Sequence, residues 1–423
     1  MELRRRERVA IVGSGIAGMT CAHLLRQHAD ITLFEADDRL GGHANTVMVE
    51  DPDVGSLAID TGFIVHNDRN YPNLVRLLDE LEIDSVDTEM SFAVTDRDRA
   101  RPFTYRATNL DSLFADRRRL LDPAMWRMLV DILRFYRAGN RYLDDVAADD
   151  DRSIGDFLRT GRYRSSFVDL HLIPMGAAVW SADPSRFDEF PAASLLRFLR
   201  NHGLLSIGDR PQWRTIVGGS RRYVEAIARG LDTVRTSTPI SAVRRTADGV
   251  VVTTPTGDED FDRVILACHS DQALRMLSDA TALERQVLGA IGYQPNIATL
   301  HTDVSLLSPL RKVWAAWNYD LRGEHDDRAT LTYDLTALQH LPGERRYLVS
   351  LNSDHLIDPS LKIASFDYAH PVFDGPAIRA QRHFEQIDGV QHTHFCGAYW
   401  SFGFHEDGMA SGLRVCERMG VSW

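Results

Sequence analysis

Lysine is almost missing from this chain. Lys312 and Lys362 are the only two, so nearly all of the 48 basic side chains are arginine. A GC-rich coding sequence accounts for that bias. Cysteine is scarce as well: Cys21, Cys268, Cys396 and Cys416 form no C-x-x-C pair. That spacing points neither to a zinc site nor to a disulfide framework. No uninterrupted apolar run is long enough to cross a bilayer. The start, "MELRRRERVAIVGSG", is basic but lacks the apolar core and cleavage site of a secretory signal. A cytoplasmic protein is the simplest expectation. Positive charge is also in deficit, since the net charge of -12 argues against general nucleic-acid binding. Internal repeats and low-complexity linkers are absent from the sequence.

What is present is a large, ordinary-looking interior. With 423 residues the soft prior is two domains. A hydrophobic content of 44% and a mean hydropathy of -0.25 fit a soluble globular chain.

The strongest signal lies in "RVAIVGSGIAGMTCAHLLRQHADITLFEADDRLGGHANT". Val9 to Val12 form a short β-branched run, as in a buried parallel strand. Gly13, Gly15 and Gly18 follow as G-x-G-x-x-G. Met19, Ala22 and Leu25 then recur at helical spacing, and Ile31 to Phe34 make a second strand ending at Glu35. Gly13 allows a tight turn, Gly15 lets a pyrophosphate approach the backbone, and Gly18 lets helix and strand pack closely. The helix start around Ile16 and Ala17 offers unpaired N–H groups and a positive dipole end to the phosphates. Glu35 arrives about twenty residues after the first glycine, where a ribose hydroxyl needs an acceptor. The motif alone does not separate NAD from FAD.

The next residues help. "EADDRLGGHANT" places Ala36, Arg39 and the pair Gly41-Gly42 just after Glu35. Here the chain resembles the FAD-dependent amine oxidase and phytoene desaturase superfamily. The resemblance implies an α/β fold: a Rossmann-like FAD-binding domain of the glutathione-reductase and amine-oxidase type, interleaved with a mixed α+β substrate domain. It further implies that the E-x-x-x-R-x-G-G segment wraps the FAD pyrophosphate and leads to the flavin ring. His43 stands where many amine oxidases have arginine; it either faces the flavin or only fixes the loop. The turn of Asp60, Thr61, Gly62 and Phe63 is implied to lie against the flavin, and Ile240 to pack near the adenine.

Further along, Gly218-Gly219 precede an amphipathic helix with Tyr223, Ile227 and Leu231 on one face. Then come a strand and the arms Val250–Thr254 and Phe261–Ala267, read as a hairpin, with "RVILAC" as a buried central strand. Cys268 reads as a small core residue. Near the end, "HTHFCGAYW" gives a short strand ending at Gly397. "HEDGMASGLRVCERMG" gives a helix with Asp407 as its N-cap and Gly408 keeping its first turns slim. The resemblance implies that this helix start points at the pyrimidine end of the flavin, with the Met409 N–H as donor. Family members usually carry an acidic residue straight after the strand glycine. Here that position is Ala398, so Glu406 and Asp407 are the candidate polar contacts. The expected division is an FAD domain of residues 1–70, 205–275 and 376–423, with a substrate domain of 71–204 and 276–375.

Only one G-x-G-x-x-G opens a helix, so no separate nicotinamide domain is evident. "DPAMWRMLVDILRFYRAGNRYLDDV" reads as a long helix whose apolar residues alternate with Arg127, Arg134, Arg137 and Arg141. Such a helix either packs on the substrate domain or lies on an anionic membrane. Trp180, Phe187, Phe190 and Phe198 add apolar wall. "GGHANT", "DTGFIVHN", "NYPNL" and "GFHEDGMASGL" together resemble a narrower bacterial group of FAD oxidoreductases associated with cyclopropane-fatty-acyl-phospholipid synthases. That group includes desaturases of methyl-branched acyl chains in furan fatty acid formation. It implies an acyl-lipid substrate; FAD is the expected cofactor from the wider resemblance, and reversible peripheral membrane contact is expected from the arginine-bearing helix. His43, Tyr71 and His405 are the candidate proton-handling groups. An amine oxidase, a double-bond isomerase and a lipid-binding flavoprotein without catalysis stay open as alternatives.

Overall fold

The computed structural model describes residues 6–97, 103–147, 150–180, 184–208, 210–321 and 330–423. The arginine-rich start at residues 1–5 lies outside them. The organising element is a five-stranded, fully parallel sheet. Its strands run in the order Thr233–Arg235, Asp30–Phe34, Arg8–Val12, Arg263–Leu266, Thr393–Phe395. Three stretches far apart in sequence therefore meet in one sheet. The central strands are β-branched and buried on both faces, as a helix-covered parallel sheet requires. One such helix, Ile16–Leu25, starts directly after the glycine turn. The closing helix, His405–Arg418, crosses it. A Cβ on Gly408 would lie 2.8 Å from Ile16 Cγ2, and one on Gly412 would lie 2.7 Å from the Ala17 carbonyl. Two glycines one turn apart thus bring the starts of both helices together.

The expected hairpin needs correcting. Val250–Thr254 pairs antiparallel with Gly257–Phe261, not with the following segment. Arg263–Leu266 instead joins the parallel sheet beside Arg8–Val12. The turn closes between Thr254 and Gly257, where Gly257 sits at φ +130°. Closing the turn that early leaves the apolar run free for the core.

A second, seven-stranded mixed sheet holds Lys362–Pro371, Tyr293–His301, Leu348–Leu351, Leu331–Asp334, Trp317–Leu321, Phe92–Asp96 and Phe103–Arg106, in that order. Against its last strands packs a helical layer containing Pro123–Asp145 and Ala192–Asn201. Its aromatic core includes Phe135, Phe157, Phe167, Trp180 and Phe198. Among the described residues, no helix is long and apolar enough to cross a membrane.

Candidate functional site

The site is built around the glycine turn. Gly13 has φ +105°, and a Cβ there would lie 2.7 Å from the Ala267 carbonyl. Gly18 is tighter still: its Cβ would sit 2.0 Å from the Gly13 carbonyl oxygen. Gly15 differs from both. Its φ of -61° and ψ of 174° are open to any residue, and nothing stands within 4 Å of its would-be Cβ. Gly42, at φ +57°, approaches from the other side, its would-be Cβ 3.3 Å from Gly15 Cα. The helix that starts at Ile16 has no side-chain cap and no acidic residue in its first turn. An uncapped helix start beside a bare backbone is the surface an anionic diphosphate needs.

Glu35 ends the second strand. Its Oε2 accepts from the Ser14 N–H at 2.9 Å and the Ser14 hydroxyl at 2.5 Å, while its Oε1 accepts from the Asp37 N–H at 3.1 Å. Ser14 also accepts from the Gly41 N–H at 3.0 Å. One serine therefore ties the glycine turn to the G-G turn. Ala36 lies exposed next to Glu35. Arg39 donates to the Gly42 carbonyl at 2.8 Å and so shapes that loop. The chain at Thr238 runs alongside, its N–H bonded to the Glu35 carbonyl, and carries Ile240 into the core.

A second group gathers in front of the closing helix. The His43 carbonyl accepts from the Phe63 N–H at 2.7 Å, and Gly62 passes so near that a Cβ would be 2.3 Å from the same oxygen. Thr61 donates its N–H to the Asn45 carbonyl, and its hydroxyl meets the Tyr368 hydroxyl at 3.0 Å. The His43 ring stacks on Tyr368 at 4.7 Å and lies 5.2 Å from His370. Its Nε2 is buried with no hydrogen-bond partner. Desolvation, with further help from His370, holds the His43 pKa well below the usual histidine range. The ring is therefore neutral and can give or take one hydrogen bond from a neighbouring group. His405 lies flat on Phe63, 3.8 Å apart and 9° from parallel, and its Nε2 meets the Tyr223 hydroxyl at 2.7 Å. Desolvation pushes the His405 pKa down to about 3.

Four expectations change on this geometry. Asp407 is not the N-cap: Phe404 is, and Asp407 reaches back from the third helical position to accept the Phe404 N–H at 2.9 Å. Glu406 is engaged by a neighbouring helix. Its carboxylate accepts from the Asn73 N–H (2.9 Å), the Asn73 side chain (2.7 Å) and the Leu74 N–H (3.1 Å). It thus caps the helix Pro72–Glu80, which has no side-chain cap of its own. The Met409 N–H lies inside the helical ladder, because the Gly408 N–H already bonds back to the Phe404 carbonyl. The free donors are one turn earlier, at His405, Glu406 and Asp407. Tyr71 is buried at the entry to Pro72–Glu80, and burial, with the nearby Asp407 and Glu406 charges, raises its pKa strongly. It cannot act as a base near neutrality. Gly397 gives its N–H to the Ser411 hydroxyl at 2.6 Å, which pins the strand end to the closing helix. Removing the Glu406 cap should matter for folding: Glu406→Ala is expected to cost about 1–2 kcal/mol, read by denaturant unfolding.

Tyr368, His370, Tyr223 and Ser14 were not singled out from sequence as site residues. Tyr368 and His370 share one face of the strand Lys362–Pro371 by simple alternation, so a period of two in "KIASFDYAHP" was the available signal. Tyr223 was visible only as an apolar helix position.

An open glycine backbone, an uncapped helix start and a strand-end glutamate are what a dinucleotide-binding fold provides. These residues fit the diphosphate and the flavin edge. Residues 16–304 match the model of the flavin containing amine oxidoreductase family, and the chain belongs to that family. Its cofactor is FAD. Among curated proteins, it is 22% identical over 272 residues to amine oxidase [flavin-containing] A of Canis lupus familiaris, covering 58% of this chain and 46% of that one. It is 38% identical over 71 residues to protoporphyrinogen oxidase 2 of Arabidopsis thaliana, covering 13% of this chain and 14% of that one. The matches span under half the length of either relative. Among solved structures, the CLA-producing fatty acid isomerase from P. acnes superposes with a TM-score of 0.70 at 16% identity, over 99% of this chain and 100% of that one. Putrescine oxidase bound to putrescine gives 0.69 at 16%, over 98% of each. At such identities the likeness is one of fold.

Proposed function

We propose that this FAD-dependent oxidoreductase oxidises a long apolar acyl chain, of the methyl-branched, phospholipid-linked kind, to a more unsaturated one. The observation that carries the reading is the aromatic wall beside the closing helix. Phe404, the residue before His405, stacks on Phe198 at 4.7 Å, and Trp180 lies 4.7 Å from the same ring. Behind them a cavity of about 610 Å³ is lined by Trp180, Phe190, Phe373, Trp400 and Phe402, with Arg197 and Arg382. Among the described residues, no Asp or Glu lines it. Such walls suit a chain of methylenes ending in an anionic group. Among these described residues a cationic amine would find two like charges and no carboxylate.

The acyl chain loses a hydride from one carbon and a proton from its neighbour and gains a double bond; FAD, when bound, supplies the two-electron acceptor. His405, next in sequence to the wall residue Phe404, is the group proposed to take the proton. With a pKa near 3 it stays neutral at physiological pH, so it would hand the proton on to solvent water rather than store charge, while the Tyr223 hydroxyl on its Nε2 orients the ring. Phe63 fixes the plane of its ring.

A second reading has its own support in the fold-level likeness to a fatty acid isomerase. There the same pocket would return the hydride and leave the mass unchanged. Anaerobic flavin bleaching separates the cases. Bleaching by a methyl-branched phospholipid, with a product two hydrogens lighter, supports desaturation. An unchanged product mass with a shifted double bond supports isomerisation. Bleaching by simple amines alone overturns both. His405→Phe is expected to keep FAD and slow substrate-driven bleaching about 100-fold. The wild-type rate should show no titration of His405 between pH 5 and 8.

A further inference from the structure

The long helix Pro123–Asp145 is only half used by the fold. Met125, Met128, Phe135 and Leu143 are buried on one side. The opposite side carries large apolar residues in the open: Val130 is 52% exposed, Trp126 48% and Leu133 39%. The turn just before it, Arg117–Leu121, adds Leu120 and Leu121, the latter 89% exposed. These residues are held out rather than loosely placed. The Trp126 indole N–H donates to the Leu120 carbonyl at 2.9 Å, and its ring packs on Phe114 at 5.3 Å.

Arginines are interleaved with these residues. Arg127, Arg137 and Arg141 lie on the same exposed side, with Arg118 in the turn. All four are exposed and enter no ion pair among the described residues. Most neighbouring acids are otherwise engaged: Asp111 with Arg117 and Lys312, Asp122 with Arg119, Asp131 with Arg134 and Arg164, and Asp144 with Arg200, which leaves the exposed Asp145 of the last turn against four arginines. In a chain of net charge -12, this face is a local positive island.

We infer that this face docks the enzyme on an anionic lipid bilayer, with the helix lying in the headgroup plane. Aliphatic and tryptophan side chains at the tip would enter the acyl boundary, and the arginines would meet lipid phosphates. Charge decides against a second copy as the occupant. A two-fold self-contact would set Arg127, Arg137 and Arg141 against the same arginines of the other chain. The inference stands apart from the acyl reading, because its test measures partition and not turnover.

The test is co-sedimentation of the FAD-loaded protein with vesicles of phosphatidylcholine, with and without phosphatidylglycerol. Sedimentation is expected with the anionic vesicles only, weakening as salt rises. Arg127→Gln with Arg137→Gln should lower partition about 25-fold, near fivefold per arginine. Leu121→Ser with Val130→Ser should lower it about tenfold. Both double variants alter exposed positions and should keep wild-type flavin absorbance and melting, which separates lost docking from lost folding. The inference is overturned if the wild type stays in the supernatant with anionic vesicles at low salt. It is also overturned if both variants sediment like the wild type, or if light scattering finds a dimer that both variants dissolve.

Discussion

Gly15→Ala is expected to yield a folded but colourless protein, whereas Gly18→Ala should yield little folded protein at all. The two glycines belong to one motif and differ in what surrounds them. At Gly15 the backbone dihedrals suit alanine and the space beside the residue is open. The new methyl would therefore clash with nothing in the protein; it would stand where the cofactor diphosphate must reach the backbone. One lost charge-assisted hydrogen bond predicts FAD binding weaker by about 10- to 100-fold. At Gly18 the methyl would lie 2.0 Å from the Gly13 carbonyl oxygen and 3.1 Å from Ala267 Cβ. Helix and sheet would have to separate at the centre of the largest core, at a cost of roughly 3 kcal/mol or more. Circular dichroism and flavin absorbance, read together, distinguish the outcomes. A yellow Gly15→Ala protein of unchanged affinity would show that the diphosphate does not lie there.

The same pair of glycines shows what could be read without coordinates. The turn, its helix and the two strands are local features, set by neighbours in sequence, and they appear where the spacing places them. The second sheet strands and the hairpin partner of Val250–Thr254 were harder. Pairing there depends on which of two adjacent segments the core claims, and a two-residue turn decided it. The site was legible in its cofactor half for the same reason. Its other half comes from long-range meetings: His43 with Tyr368 and His370, and His405 with Phe63 and Tyr223. No local pattern marks Tyr368 as the residue that will lie under His43. Glu406 illustrates the converse. An acidic residue at a helix start reads as a cofactor contact, yet it caps a helix more than three hundred residues earlier in the chain.

Asp60 carries the other large expected effect. It is 1% exposed and stands at the end of the strand Gly55–Asp60. Its carboxylate accepts from the Thr46 hydroxyl at 2.6 Å, the Ser220 hydroxyl at 2.7 Å, the Ser220 N–H at 3.0 Å and the Gln339 amide at 2.9 Å. Three distant segments thus converge on one side chain just before the Thr61–Phe63 turn. Asp60→Ala would leave these donors buried without an acceptor, so it should cost about 3 kcal/mol or more and loosen the turn that holds His43. Burial also raises the Asp60 pKa from an ordinary 3.8 to about 6. A raised carboxylate binds its proton more tightly in the folded state than in the unfolded one. Its contribution is therefore fully present below pH 3.8 and is lost as pH rises through about 6. A shift of that size corresponds to a change of about 3 kcal/mol across the window. Asp60→Asn cannot titrate, so it should flatten this part of the stability profile while keeping the side chain's volume. Denaturant midpoints measured from pH 4 to 7 would reveal it: equal slopes in wild type and Asp60→Asn would show that Asp60 does not titrate there.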